Sequence, residues 1–408
     1  MTAHPHTANR PFRSFVLQVA LFTLILLGGP IFLVGLMDPF GLLGTPLLDG
    51  FNREKVTRDY SSRLAKPLQF LQGDYNALVL GTSRAGDGID PRSPHLAPWR
   101  VYNGSLLLGT VHELSRFMTF AQETRPLALV LWGLDFLSFP GQSAWRGNIQ
   151  ESLLFNSPLM FRLKHLINLD TTRQAWQTLL LNRSGRPGQV DGHPNGWFGL
   201  PTRDPIGHDY RQVFPARARH DFCNPTFLTG YRFGPEVFDP LEEALARLKP
   251  AGVRIVLFVS PIHALHMELM HRRGLYPTFK NWLAGLAHRV HAVDARTPGP
   301  HPIVLYDFSG YNSVTTEAFP TGEGTDPGFM RWYWESVHYK VTTGDRILAQ
   351  VLAPPGTQPP EPLDFGQPLT PATVMARVAA LDPGRELYVR KWATDIARIY
   401  DPRGCPSP

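Results

Sequence analysis

Leu78-Val79-Leu80-Gly81-Thr82-Ser83-Arg84 is an apolar run that ends in a Gly-x-Ser-Arg turn. The run reads as a strand, and the carboxyl edge of a strand is where an α/β sheet places its reacting groups. A distant stretch, Trp332-Tyr333-Trp334-Glu335-Ser336-Val337-His338-Tyr339, sets a carboxylate three residues before a histidine. Serine alone is a poor nucleophile and needs a base within hydrogen-bond reach, itself oriented by a third group. Ser83, His338 and Glu335 therefore read as the nucleophile, base and orienting acid of an acyl-transfer site. The competing reading is structural. Serine often caps a helix after a strand, His338 sits among aromatic residues that would pack it, and Glu335 would be a surface carboxylate.

Outward from these segments, strands and helices alternate. Residues 77–80, 101–103, 127–132, 253–260 and 303–306 have strand character, while 112–124, 240–248 and 279–290 read as helices. Residues 127–132 are wholly apolar, as in a strand buried on both faces. The alternation predicts an α/β fold with a parallel, helix-flanked sheet over residues 74–352. An insertion at about 140–235 interrupts it, with a helical part at 152–181 and a Gly, Pro, Arg and His-rich part at 182–215. Residues 38–73 read as a connector with a helix near 56–71. Residues 353–408 read as a Pro-rich linker followed by a helical tail, with helices at 371–381 and 385–400.

Residues 14–37 carry no charge, and about 20 such residues span a bilayer as a helix. Arg10 and Arg13 precede the run, whereas Asp38 comes directly after it and no basic residue occurs before Arg53. The positive-inside rule then keeps residues 1–13 in the cytoplasm and exports residues 38–408. A cleaved signal peptide is the alternative, but the run is long for one and is not succeeded by a small-x-small site.

The formal charge of +6 is scattered over the 408 residues without a long basic run, so nucleic-acid binding is not expected. A basic surface suits an anionic polymer or lipid headgroups equally well. The two cysteines, Cys223 and Cys405, make neither a zinc site nor a disulfide framework. A single bridge is open to them in an oxidising compartment, but the Pro-rich tail around Cys405 favours unpaired thiols. His263 and His266, with Glu268 nearby, suggest a metal, yet no His-Glu-x-x-His pattern is present and none is expected.

Gly81-Thr82-Ser83-Arg84 resembles the first block of the SGNH (GDSL-type) hydrolases, where a Gly-Asp-Ser turn bears the nucleophile. Glu335-Ser336-Val337-His338 looks like their last block, Asp-x-x-His, with Glu for Asp. Tyr102-Asn103-Gly104 through Gly109-Thr110 is similar to the second block, whose glycine N–H helps to form the oxyanion hole. Leu129 to Asp135 stands where the third block, Gly-x-Asn, would fall. Two departures stand out: Asp135 replaces the asparagine, and Gly109 sits one residue late. The pairing of Asp307-Phe308-Ser309-Gly310-Tyr311-Asn312-Ser313-Val314-Thr315 with Trp-Glu-Ser-x-His-Tyr is closest to membrane-anchored SGNH-like proteins that accompany membrane-bound O-acyltransferases. The periplasmic alginate acetylation proteins are more distant relatives of the same kind.

The resemblance implies a flavodoxin-like three-layer sandwich behind one transmembrane helix, at the bacterial inner membrane with the main domain in the periplasm. It implies an acyltransferase that O-acetylates a secreted or cell-surface glycan such as an exopolysaccharide, without a cofactor and with a membrane-bound O-acyltransferase as partner. Gly109, Asp135, Arg84 and Asn103 would serve the oxyanion or the substrate, and Asp307, Ser309 and Asn312 would form a site network or a structural polar network. Two alternatives remain open: a glycan or lipid ester hydrolase using the same residues, and a non-catalytic scaffold that keeps the fold.

Overall fold

The structure, a computed structural model, describes residues 9–41, 43–55, 59–141, 145–166, 168–185, 193, 195–199, 209–225, 227–228, 231–320, 328–354, 356–358 and 361–405. Parts of the 140–235 insertion and of the N-terminal segment lie outside these residues.

Contacts divide the chain into two compact units, residues 1–68 with 150–191 and residues 69–149 with 192–408. In chain order the helices are α1 (Asn9–Met37), α2 (Asp59–Gln72), α3 (Ser83–Gly88), α4 (Val111–Thr124), α5 (Pro158–Leu166), α6 (Leu169–Arg183) and α7 (Tyr210–Cys223). They continue with α8 (Asp239–Leu248), α9 (Ala264–Arg272), α10 (Tyr276–Arg296), α11 (Val341–Val351), α12 (Val374–Lys391) and α13 (Ala393–Ile399).

The second unit is mixed α/β. Its six-stranded sheet has the order β2 (Val101–Asn103), β1 (Ala77–Leu80), β3 (Leu129–Leu134), β4 (Arg254–Val259), β5 (Val304–Asp307) and β6 (Gln367–Pro368). The first five are parallel, and β6 joins β5 antiparallel. Short Leu- and Val-rich runs suit this arrangement because both sheet faces are covered. Ala77, Val79, Leu129, Leu131, Val256 and Phe258 share one core with Phe214 of α7 and Ile347 and Leu348 of α11. The alternate residues Leu78, Leu80, Val130, Trp132 and Leu257 are buried as well. Chain order reverses at β1, which pairs with β2 on one side and β3 on the other. Open α/β sheets form their binding crevice at such a switch point, outside the carboxyl ends of the strands. Ser83 emerges there.

The C-terminal segment is not a tail. Helix α12 runs through Pro383 without interruption, and Leu381, Tyr388, Ile396, Ile399 and Tyr400 are buried. Arg385 is paired with Glu268 of α9. Cys405 forms a disulfide with Cys223 at the end of α7, correcting the expectation of unpaired thiols. Their separation of 182 residues concealed a proximity that only the packing of α12 and α13 creates.

In the first unit, residues Phe12–Met37 of α1 are long and apolar enough to cross a membrane. Large side chains along it are exposed, among them Phe15, Phe22 and Ile25. The chain leaves α1 at Asp38, whose carboxylate accepts N–H bonds from Leu43, Gly44 and Thr45, while Lys55 donates to the Met37 carbonyl. Val34 and Met37, in the last turn of α1, pack with Ala175 of α6. Asn182 bonds both the N–H and the carbonyl of Glu54. The expected helix at 152–181 is thus two helices, and this part of the insertion clusters with the N-terminal segment instead of the α/β domain.

Candidate active site

Thr82 caps α3 by accepting the Arg84 N–H, and Ser83 is the first helical residue. The strand must turn tightly to start this helix. A Cβ on Gly81 would lie 2.7 Å from the Ala85 Cβ and 3.0 Å from the Gly133 carbonyl, so only glycine fits. The histidine loop is a small closed hairpin. Tyr333 and Tyr339 form a β-bridge, Trp334 N–H donates to the His338 carbonyl, and Lys340 N–H donates to that of Trp332. Beyond it, α11 lies close to α3, where a Cβ on Gly344 would fall 1.8 Å from the Gly88 carbonyl. That approach brings the hairpin to the serine.

Ser83 Oγ lies 2.7 Å from His338 Nε2. His338 Nδ1 is hydrogen-bonded to Glu335 Oε1, and the carboxylate also accepts the N–H groups of Val337 and His338. A carboxylate on Nδ1 holds the ring proton there and leaves Nε2 to accept from serine. Burial raises the Glu335 pKa, but the His338 charge and hydrogen bond, with Arg217 and the Val337 N–H, outweigh it and hold the acid at about 2. Burial likewise opposes charge on His338, and Glu335 outweighs it, so the imidazole pKa is raised. To act as a base toward Ser83 the imidazole must be neutral. Activity is therefore predicted to fall as pH drops through a midpoint above 6.5. Glu335→Gln removes the raising charge, so it should shift that midpoint downward and slow the reaction, as a kcat/KM profile against pH would register.

The remaining expected site residues separate into three groups. Asp135, buried at the end of β3, accepts from Thr82 Oγ1 at 2.6 Å and from Arg84 Nη1 at 2.5 Å. Both of its carboxyl oxygens are thus taken up inside the protein, one by a hydroxyl and one by a cation. Arg84 also donates from Nε to the Val337 carbonyl at 3.1 Å, tying the β3 end to the histidine loop. Its Nη2 has no protein partner among the described residues, and neither has the Ser83 N–H. Gly109 lines the same cavity, but its N–H donates to the Leu106 carbonyl across a turn in which Leu108 has φ of 49°. The expectation that this N–H serves an oxyanion is corrected.

Asn103 is fully buried and spends its side chain on the Ala85 and Ile89 carbonyls and the Ser105 N–H. It stitches β2 to α3 and does not line the cavity. Asp307, Ser309 and Asn312 form the structural network. Ser309 donates to Asp307, Asn312 donates to the Ser309 carbonyl, and Arg377 of α12 closes the set on Asp307. None of the three lines the cavity at Ser83.

That cavity, of about 400 Å³, has walls that the motifs did not signal. The insertion contributes Arg146, Arg217, Asp221, Phe227, Leu228, Tyr231 and Arg232. Arg217 is paired with Asp221 at 3.0 Å. His266 of α9 also lines it, buried, with neither ring nitrogen bonded. Burial, with the Arg84, Arg217 and His338 charges adding, pulls its pKa down to about 3 and keeps it neutral. His263 instead caps α9 through Nδ1 and bonds the Glu317 carbonyl through Nε2. Among the described residues no group of three His, Cys, Asp or Glu could hold a metal.

No family model, curated protein or solved structure matches this chain.

Proposed function

We propose that this chain is a membrane-anchored serine acyltransferase of the SGNH type that acylates a secreted or cell-surface glycan. The observation that carries the reading is the relay from Ser83 through His338 to Glu335, at the sheet's switch point and opening on a cavity. The strand order from β2 to β5 is also that of flavodoxin-like sheets, which supports the finer fold reading. Ser83 attacks the acyl ester while His338 Nε2 takes its proton, and the imidazolium is stabilised by Glu335. The tetrahedral oxyanion is met by the Ser83 N–H and by Arg84 Nη2, in place of the glycine and asparagine donors of the family pattern. His338 protonates the leaving oxygen. It then deprotonates a sugar hydroxyl, which takes the acyl group from Ser83, and returns that proton to the departing Ser83 Oγ.

The charge of the cavity narrows the acceptor. Arg84 and Arg217 are neutralised by Asp135 and Asp221, whereas Arg146 and Arg232 have no ion-pair partner among the described residues. That excess positive charge suits an acidic glycan. The anchor reading places α1 across a bacterial inner membrane with Arg10 and Arg13 inside and the α/β unit in the periplasm. A membrane-bound O-acyltransferase partner would then supply the acyl donor. The test is the acyl content of exported glycan in cells producing the chain or its Ser83→Ala variant. Acylation lost only with the variant supports the reading. Acylation unaffected by the variant moves the weight to a scaffold, and purified protein that releases acyl groups only to water indicates a hydrolase.

A further inference from the structure

Helices α5 and α6 each bury one face, of small and polar residues for the most part, and expose an apolar one. On α6 the inner face is Thr171, Ala175 and Thr178, and Ala175 meets Val34 and Met37 of α1. Its outer face presents Leu169, Trp176 and Leu180, which are 89%, 54% and 50% exposed. On α5, Phe161 and His165 are buried, and the His165 ring meets Phe40 just past the end of α1. Leu159, Met160 and Leu163 project on the other side, 67%, 49% and 43% exposed. Six large apolar side chains on one helical pair are more than the scattered exposure a soluble surface normally shows. The pair packs against the carboxyl end of α1, whose own apolar side chains, Phe32 among them, are exposed up to that point. Exposed Arg162, Lys164, Arg173 and Arg183 punctuate the two helices, against the single carboxylate Asp170.

We propose that α5 and α6 lie in the lipid–water interface beside the exit of α1, with their outer faces among the headgroups and upper acyl chains. The inference rests on reading α1 as a membrane-spanning helix. Apolar residues including a tryptophan on one side, with cations at the margins, are the composition of an interfacial helix. The cations add attraction to anionic lipid headgroups. Lipid is the occupant the geometry favours, because the free surface continues that of α1, which needs the bilayer around it.

The test uses the full chain reconstituted in vesicles of phosphatidylethanolamine and phosphatidylglycerol, with spin labels on single introduced thiols at Leu163→Cys, Leu180→Cys and Leu24→Cys. The two native cysteines are consumed by the disulfide, so each introduced thiol is unique. The expected result is greater accessibility to oxygen than to a water-soluble nickel chelate at 163 and 180, at a shallower depth than at 24. A deep label at 24 with nickel-accessible labels at 163 and 180 would overturn the proposal while sparing the anchor. Labels at 163 and 180 shielded from both reagents would also overturn it, in favour of a protein partner on this face. A nickel-accessible label at 24 would remove the anchor reading on which the proposal stands.

Discussion

Replacing Ser83 by alanine is expected to abolish acyl transfer and ester cleavage, with a rate loss on the order of a million-fold. His338→Ala should cost about as much, and the double variant little more, because nucleophile and base act as one unit. Both side chains are at the cavity, so the variants should keep the wild-type fold by circular dichroism and thermal melting. Turnover by Ser83→Ala near the wild-type rate would show that the 2.7 Å contact to His338 is structural.

Asp135→Ala is expected to have the largest effect on stability. The Arg84–Asp135 pair is nearly out of solvent, with side-chain exposures of 9% and 2%. Removing one partner leaves an uncompensated buried cation, which costs about 3–5 kcal/mol. The α/β unit should then melt lower by roughly 10 °C. Asp135→Asn should also lose stability and activity, since the amide cannot neutralise Arg84 or accept at both atoms from Thr82 and Arg84. If Asp135→Asn instead preserved activity from about pH 5 to 8, the residue would be acting as a neutral donor. Substituting both partners with apolar residues of similar volume should recover much of the stability, because the desolvation cost disappears with the charges. Activity should not return, since Arg84 also holds the histidine loop through the Val337 carbonyl.

The sheet was legible because its strands are short, apolar and separated by turn residues. Residues 77–80 and 101–103 are β1 and β2 as read. Helix α9 was missed because it is buried at seven successive positions, 264–270, and so has no polar face to mark a helical period. The exposed apolar faces of α5 and α6 were concealed for the opposite reason, since their buried faces carry Thr171, Thr178, Asn182 and His165, and an apolar stripe is ordinarily read as the face turned inward.

In the site, the serine turn and the Glu-x-x-His segment were readable because the chemistry fixes their residue types and local spacing. The partners of Asp135 were not, although Arg84 stands beside Ser83 in the sequence, since an ion pair across two strand ends has no local signature. The same holds for the cavity wall. Arg146 and Arg232 in loops and Arg217 on α7 are ordinary arginines until the fold places them around Ser83. Asn103 and Gly109 lie in the expected block, yet their hydrogen bonds are spent inside the fold.

The most direct measurement is peptide mapping by mass spectrometry after the full-length protein is treated with a fluorophosphonate, which reacts with an activated serine. One adduct is expected, on Ser83, that disappears in His338→Ala and forms more slowly in Glu335→Gln. A folded chain that remains unmodified at Ser83, or that is labelled on another serine with His338 dispensable, would contradict this expectation.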